Sequence, residues 1–196
     1  MSDKHVLDNP DLHTALNTIA RMNRRSFLAF SGAAIAAASA GGLPLPARAA
    51  RLTFITEAES AVFVKLAEVV LPVSGSKLTP WTPEVLLQTL DSALLGTMEP
   101  HILQGLKGGI GYFNEGPVAT HGKPFVQLSD EEATRFCDQW SDSDEVPQRA
   151  LAMGLKKLVQ LAYWANPASW PPIGYDGPVS KRAGLESLGN AELPLD

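Results

Sequence analysis

Few side chains in this sequence are equipped for chemistry. Beyond residue 50 there are two histidines, His101 and His121, and one cysteine, Cys137. A zinc or iron site needs several such ligands at short, fixed spacings, and neither histidine has a partner at one. His101 stands beside Glu99 at a helix start and His121 sits in a Thr-His-Gly-Lys loop; both read as solvated rings. Cys137 shares an apolar face with Phe136 and Trp140, and an apolar site raises a thiol pKa, so it reads as a structural thiol rather than a nucleophile. A single cysteine also excludes an internal disulfide, a Cys-rich zinc site, a cysteine-ligated iron–sulfur cluster and covalent c-type haem. The acidic run Asp138, Asp142, Asp144, Glu145 lacks the alternating oxygen ligands of a calcium loop and reads as a solvated linker. The cluster Gly105-Leu106-Lys107-Gly108-Gly109-Ile110-Gly111 fits neither the dinucleotide fingerprint nor the P-loop, and no strand precedes it. Close helix–helix packing is the expected role of those glycines. No Gly-x-Ser-x-Gly and no paired catalytic carboxylates stand out.

The elements that would position these residues belong to a chain of 196 residues, enough for one domain with an appendage. Hydrophobic residues make up 45% and charged ones 19%, so most of the chain can build a core. A formal net charge of −5 argues against nucleic-acid binding, which needs clustered Lys and Arg. No uninterrupted apolar run long enough for a membrane span occurs outside the N-terminal region.

Residues 1–49 read as an export address with an extended n-region. Met1–Met22 is polar, with a weak apolar stripe at Leu12, Leu16 and Ile19. Asn23-Arg24-Arg25-Ser26-Phe27-Leu28 follows, then an Ala-rich stretch, then Ala47-Arg48-Ala49. A positive region, an apolar region and a small-x-small cleavage site in that order make a signal peptide. Arg24 and Arg25 ahead of Phe27 and Leu28 make it the twin-arginine type, with cleavage expected after Ala49. An uncleaved signal serving as an anchor is the alternative. A periplasmic location follows from this reading. The chain from Ala50 onward holds eleven Lys/Arg against eighteen Asp/Glu, an acidic product.

Residues 50–165 predict an all-α bundle of about five amphipathic helices. Thr56 to Glu59 is a capping box, followed by Val62, Phe63, Leu66, Val69 and Val70 on one face, and Pro72 stops the helix. Thr82-Pro83-Glu84 opens a second helix with Pro at its first position, striped by Leu86, Leu87, Leu90, Ala93 and Leu94 and closed by Gly96. A third starts near Glu99-Pro100 and buries Ile102, Leu103, Leu106, Ile110 and Phe113. Ser129 to Glu132 is a second capping box, ahead of Ala133, Phe136, Cys137 and Trp140. The fifth runs from about Val146 to Ala165 with Leu151, Leu155, Leu158, Val159 and Ala162 inward.

From residue 166 to 196 the helical pattern collapses into a Pro, Gly and aromatic tail. Tyr163, Trp164, Trp170 and Tyr175 fall within thirteen residues, interleaved with Pro167, Pro171 and Pro172. Tyr and Trp are enriched in interface anchors, and prolines lower the entropy cost of holding a loop extended. The same rings could instead cap the bundle's own core, and both roles stay open.

Three features together resemble the gluconate 2-dehydrogenase subunit 3 family. They are the twin-arginine signal, the Thr56-Glu57-Ala58-Glu59 helix ending in Leu71-Pro72, and Gly122-Lys123-Pro124-Phe125 running into Leu128-Ser129. The ending Tyr163…Asn166-Pro167…Gly174-Tyr175-Asp176-Gly177-Pro178 adds the most. The glycine-rich third helix and the long segment before the arginines depart from the usual pattern. The resemblance implies a non-catalytic small subunit with no cofactor of its own. Its partner would be a large FAD-dependent dehydrogenase of the glucose–methanol–choline type, often joined by a multihaem cytochrome c. The partner would be carried through the twin-arginine machinery on this chain's address. The competing expectation is a free-standing periplasmic enzyme or small-ligand binder using His101, His121 or carboxylates.

Overall fold

The computed structural model describes residues 4–21, 52–71 and 73–184. Arg24, Arg25, Phe27, Leu28, Ala47, Ala49, Pro72 and residues 185–196 lie outside the described residues. The fold is all-α, and no strand occurs among the described residues. Where the sequence predicts five helices, the described residues hold six of seven residues or more: α1 (Pro10–Arg21), α2 (Glu57–Val70), α3 (Pro83–Thr89), α4 (Pro100–Glu115), α5 (Asp130–Ser141) and α6 (Val146–Ala165). One-turn helices lie at Lys4–Leu7, Val118–His121 and Val179–Arg182.

The predicted starts are set by local chemistry. A helix leaves its first N–H groups without intrahelical partners. At α2 the Thr56 hydroxyl accepts from Glu59 N at 3.3 Å while the Glu59 carboxylate accepts from Thr56 N at 2.8 Å. Ser129 and Glu132 repeat the pair at α5. Behind these caps Val62, Phe63 and Leu66, and then Ala133, Phe136, Cys137 and Trp140, are buried. Each fully buried Leu or Phe contributes about 1.5–3 kcal/mol. α6 is the central helix, with Leu151, Leu155, Leu158 and Val159 inaccessible to solvent. Aromatic rings fill the space between α4 and α5: Phe113 meets Phe125, Phe136 and Trp140 at centroid separations of 4.8, 5.2 and 5.3 Å.

Glu132 gives the α5 start a pH dependence. Lys123 Nζ lies 2.8 Å from its carboxylate. That contact, with the Ser129 N–H, lowers the Glu132 pKa from 4.5 to about 2. A carboxyl held low in the fold stabilises it above its unfolded pKa and ceases to as the pH falls through the folded one. The contribution is therefore complete above about pH 4.5 and lost on the way to about pH 2. Glu132→Gln should flatten the thermal-melting profile in that window and leave its slope above pH 5 unchanged. An unaltered acid limb in the variant would show that the lysine contact does not hold in solution.

The second predicted helix changes character part-way. α3 gives way to a π turn at Leu90–Leu94 and a 3-10 turn at Leu95–Thr97, so Gly96 lies inside the helical run rather than at its end. The π turn buries Leu90, Asp91, Ala93 and Leu94, a wider inward face than an α-helix offers. Asp91 is 4% exposed. Its carboxylate accepts from Thr53 N at 2.9 Å, Phe54 N at 2.7 Å and Ile55 N at 3.0 Å. The chain entering α2 is thus clamped by three charge-assisted hydrogen bonds, each stronger than a neutral one.

The largest departure from expectation is α1. Its stripe of Leu12, Ala15, Leu16 and Ile19 is 0–6% exposed and belongs to the main core. α1 lies along α4 and also touches α6. Two α4 glycines make room for it. A Cβ at Gly105 would overlap the Asp11 carbonyl carbon and sit 2.5 Å from Leu12 N, and one at Gly109 would sit 2.7 Å from a Leu12 methyl. Gly154 on α6 faces Leu16 at 3.1 Å. Gly108 and Gly111 face open space. The glycine cluster thus packs a helix as expected, through its i, i+4 pair. The folded body accordingly includes residues 10–21, a stretch that by sequence falls within the expected export address.

Candidate docking surface

α6 ends where the tail begins, and the ending is stitched to the loop before α3. Asn166 Oδ1 accepts from Ala168 N at 3.0 Å, and Ser169 Oγ donates to Asn166 O at 2.7 Å. Thr79 Oγ1 donates to Ala168 O at 2.8 Å, and Tyr163 Oη donates to Thr79 O at 2.9 Å. Between these contacts lies a recess of about 150 Å³, walled by Trp81, Val85, Ala162, Tyr163 and Ser169 among others.

Beyond Ser169 the chain makes a compact aromatic fold-back. Trp170 Nε1 donates to Trp164 O at 2.8 Å, fixing the indole across the end of α6. Tyr175 N returns to Trp170 O at 3.2 Å, and the two rings meet edge-on at 5.2 Å. The turn needs glycine at Gly174 and Gly177, whose φ values of 71° and 104° lie where other residues are strained. Gly177 also lets the backbone pass over the indole, since a Cβ there would sit 3.4 Å from it. The Arg182 guanidinium 2.7 Å from Asp176 closes the segment and holds the Asp176 carboxyl below its ordinary range.

The four predicted anchors separate into two kinds. Tyr163 is 4% exposed, its ring in the core and its hydroxyl committed to Thr79, and burial pushes its phenol pKa up. It is a core residue that meets the surface only at the recess, so as a docking anchor it has little area to offer. Trp164 and Trp170 are half-buried, Trp164 packing on the core. Tyr175 is 38% exposed, and Ile173 and Val179, which sequence reasoning passed over, are 53% and 68% exposed. The tail therefore exposes three apolar side chains on a backbone already held by hydrogen bonds.

The chemistry-bearing residues stay apart. His101 is exposed with Nδ1 3.6 Å from Glu99, and His121 Nδ1 lies 2.8 Å from Thr120 Oγ1. Among the described residues no group of three or more His, Cys, Asp or Glu is placed to hold a metal. Burial pushes the Cys137 thiol up to about 12, leaving it protonated at neutral pH. Among the described residues no helix is long and apolar enough to cross a membrane. Asp91 is the polar residue that sequence reasoning missed; a lone acid inside the apolar stripe of Leu90, Ala93 and Leu94 was the available signal. No family model matches this chain, nor does any curated protein or solved structure.

Proposed function

We propose that this chain is a non-catalytic small subunit. It would bind, stabilise and escort an FAD-dependent alcohol or sugar dehydrogenase of the glucose–methanol–choline type through twin-arginine export. The observation that carries this reading is the hydrogen-bonded tail segment that leaves Ile173, Tyr175 and Val179 exposed, with Tyr175 packed on Trp170. A surface held in place before binding loses less entropy on docking than a loose one, and Tyr and Trp are favoured anchors. The resemblance to the gluconate 2-dehydrogenase subunit 3 family supports the same reading and adds a multihaem cytochrome c as a further partner. The export half rests on Arg24-Arg25, Phe27-Leu28 and the Ala47-x-Ala49 site. A free-standing periplasmic enzyme or small-ligand binder is the second reading, with the recess beside Tyr163 as its candidate site.

Two experiments test the two halves. Tyr175→Ala should cost the isolated chain about 1 kcal/mol, the scale of one edge-on aromatic pair. The same change should weaken capture of a yellow flavoprotein from the native host by about 2 kcal/mol or more. Equal capture by variant and parent would remove the tail from the docking surface. For export, Arg24→Lys with Arg25→Lys should hold the chain and its passenger in the cytoplasm, because lysine does not reproduce the guanidinium fork. Undiminished periplasmic protein in the double variant would sink the signal assignment.

A further inference from the structure

α1 is seated as a ligand is seated. Its N-terminal turn is closed locally: Asn9 Oδ1 accepts from Asp11 N at 2.8 Å and Asn9 O from His13 N at 3.2 Å. At its other end Lys157 Nζ, from α6, donates to Ala20 O at 2.9 Å. Between them the contact is the apolar row of Leu12, Ala15, Leu16 and Ile19, spaced i, i+3, i+4, i+7 along one face. The receiving surface is made by two other helices, with Gly105 and Gly109 from α4 and Gly154 from α6. Glycine inside a helix is unfavourable by about 1 kcal/mol against alanine. Gly105 and Gly109 recover that cost only with another helix against them. The covalent link from α1 to the remaining body runs through residues 22–51, which contain the expected cleavage site after Ala49.

We propose that the groove between α4 and α6 is a binding site for a separable amphipathic helix, and that α1 is its resident ligand. Cutting the chain between residues 22 and 51 leaves α1 in place, and the processed protein is a two-chain complex. The groove selects a helix that carries aliphatic residues at i, i+4 and i+7 and whose backbone can approach Gly105 closely at the first of them. Groove and ligand are both within this chain, so the site is independent of the escort reading; that the chain is cut between residues 22 and 51 rests on the export part of that reading.

The test uses the full chain with a protease recognition sequence inserted between residues 40 and 45. After complete cleavage, confirmed by mass, the N-terminal fragment should co-elute with the body on gel filtration at micromolar concentration. A synthetic peptide of residues 4–21 in excess should displace it, and the same peptide carrying Leu16→Asp should not. In the cleaved protein Gly105→Ala should speed fragment loss about tenfold or more, the scale of overpacking a close contact. Gly108→Ala, which faces open space, should leave the rate unchanged. Loss of the fragment on cleavage would overturn the proposal in either form. A body that stays folded would mean a groove too weak to bind, and a body that unfolds would make α1 an inseparable part of the fold. Equal retention in the Gly105 and Gly108 variants, or displacement by the Leu16→Asp peptide, would overturn it too.

Discussion

Gly105→Ala is expected to lower the stability of the intact chain by about 3 kcal/mol. The overlap it creates is with the Asp11 backbone, and no side-chain rotation relieves it. Overpacking costs about 1–3 kcal/mol where the surroundings can yield. Here yielding means moving α1 outward, which thins the burial of Leu12, Leu16 and Ile19, each contributing about 1.5–3 kcal/mol when fully covered. One kcal/mol is about 2–4 °C for a chain of this size, so the melting temperature should fall by about 6–12 °C. Gly108→Ala, one turn away on the solvent side, should instead gain up to about 1 kcal/mol from helix propensity alone. Opposite signs at two positions of one helix are the diagnostic. If both variants melt above the parent, α1 is not seated on Gly105.

Asp91→Ala is the second change with a large expected effect. It deletes one carboxylate and leaves three N–H groups, from Thr53, Phe54 and Ile55, without an acceptor. A buried donor left unmade costs about 1–3 kcal/mol. Water can reach part of the segment, since Phe54 is 36% exposed, so a total of about 3 kcal/mol is expected. Asp91→Asn keeps one acceptor oxygen and should cost about half as much. Hydrogen exchange gives the local readout: the amides of Thr53, Phe54 and Ile55 should lose protection in Asp91→Ala ahead of those in α6. Unchanged protection there would mean that the clamp does not hold the entry to α2.

What the sequence shows of this fold depends on how local the determining interaction is. Thr56 with Glu59 and Ser129 with Glu132 act across three residues, so both helix starts and their inward faces are legible. Cys137 is legible for the same reason, because Phe136 and Trp140 announce its surroundings. Gly105 and Gly109 point to close packing without naming the helix that packs, because their partner lies more than ninety residues upstream. Leu12, Leu16 and Ile19 are too sparse to stand out in a polar segment. They matter because glycines elsewhere admit them. Asp91 was hidden for a related reason: its ligands are backbone N–H groups, which have no residue signature. In the tail, spacing placed Tyr163 and Tyr175 in one aromatic group, and only the geometry at Thr79 and Gly174 sends one ring inward and leaves the other outside.

The seat of α1 also fixes an order of events during synthesis. α1 leaves the ribosome ahead of α4 and α6, and Gly154 and Lys157, which receive Leu16 and Ala20, are made well over a hundred residues after it. At about 5–20 residues per second that interval is on the order of ten seconds. A helix of twelve residues is marginal in water by itself, so the segment waits for α4 to supply its first partner and for α6 to complete the seat. α1 is therefore incompletely seated on an unfinished chain and fully seated only on a finished one, so the state of this one helix reports that translation has reached α6.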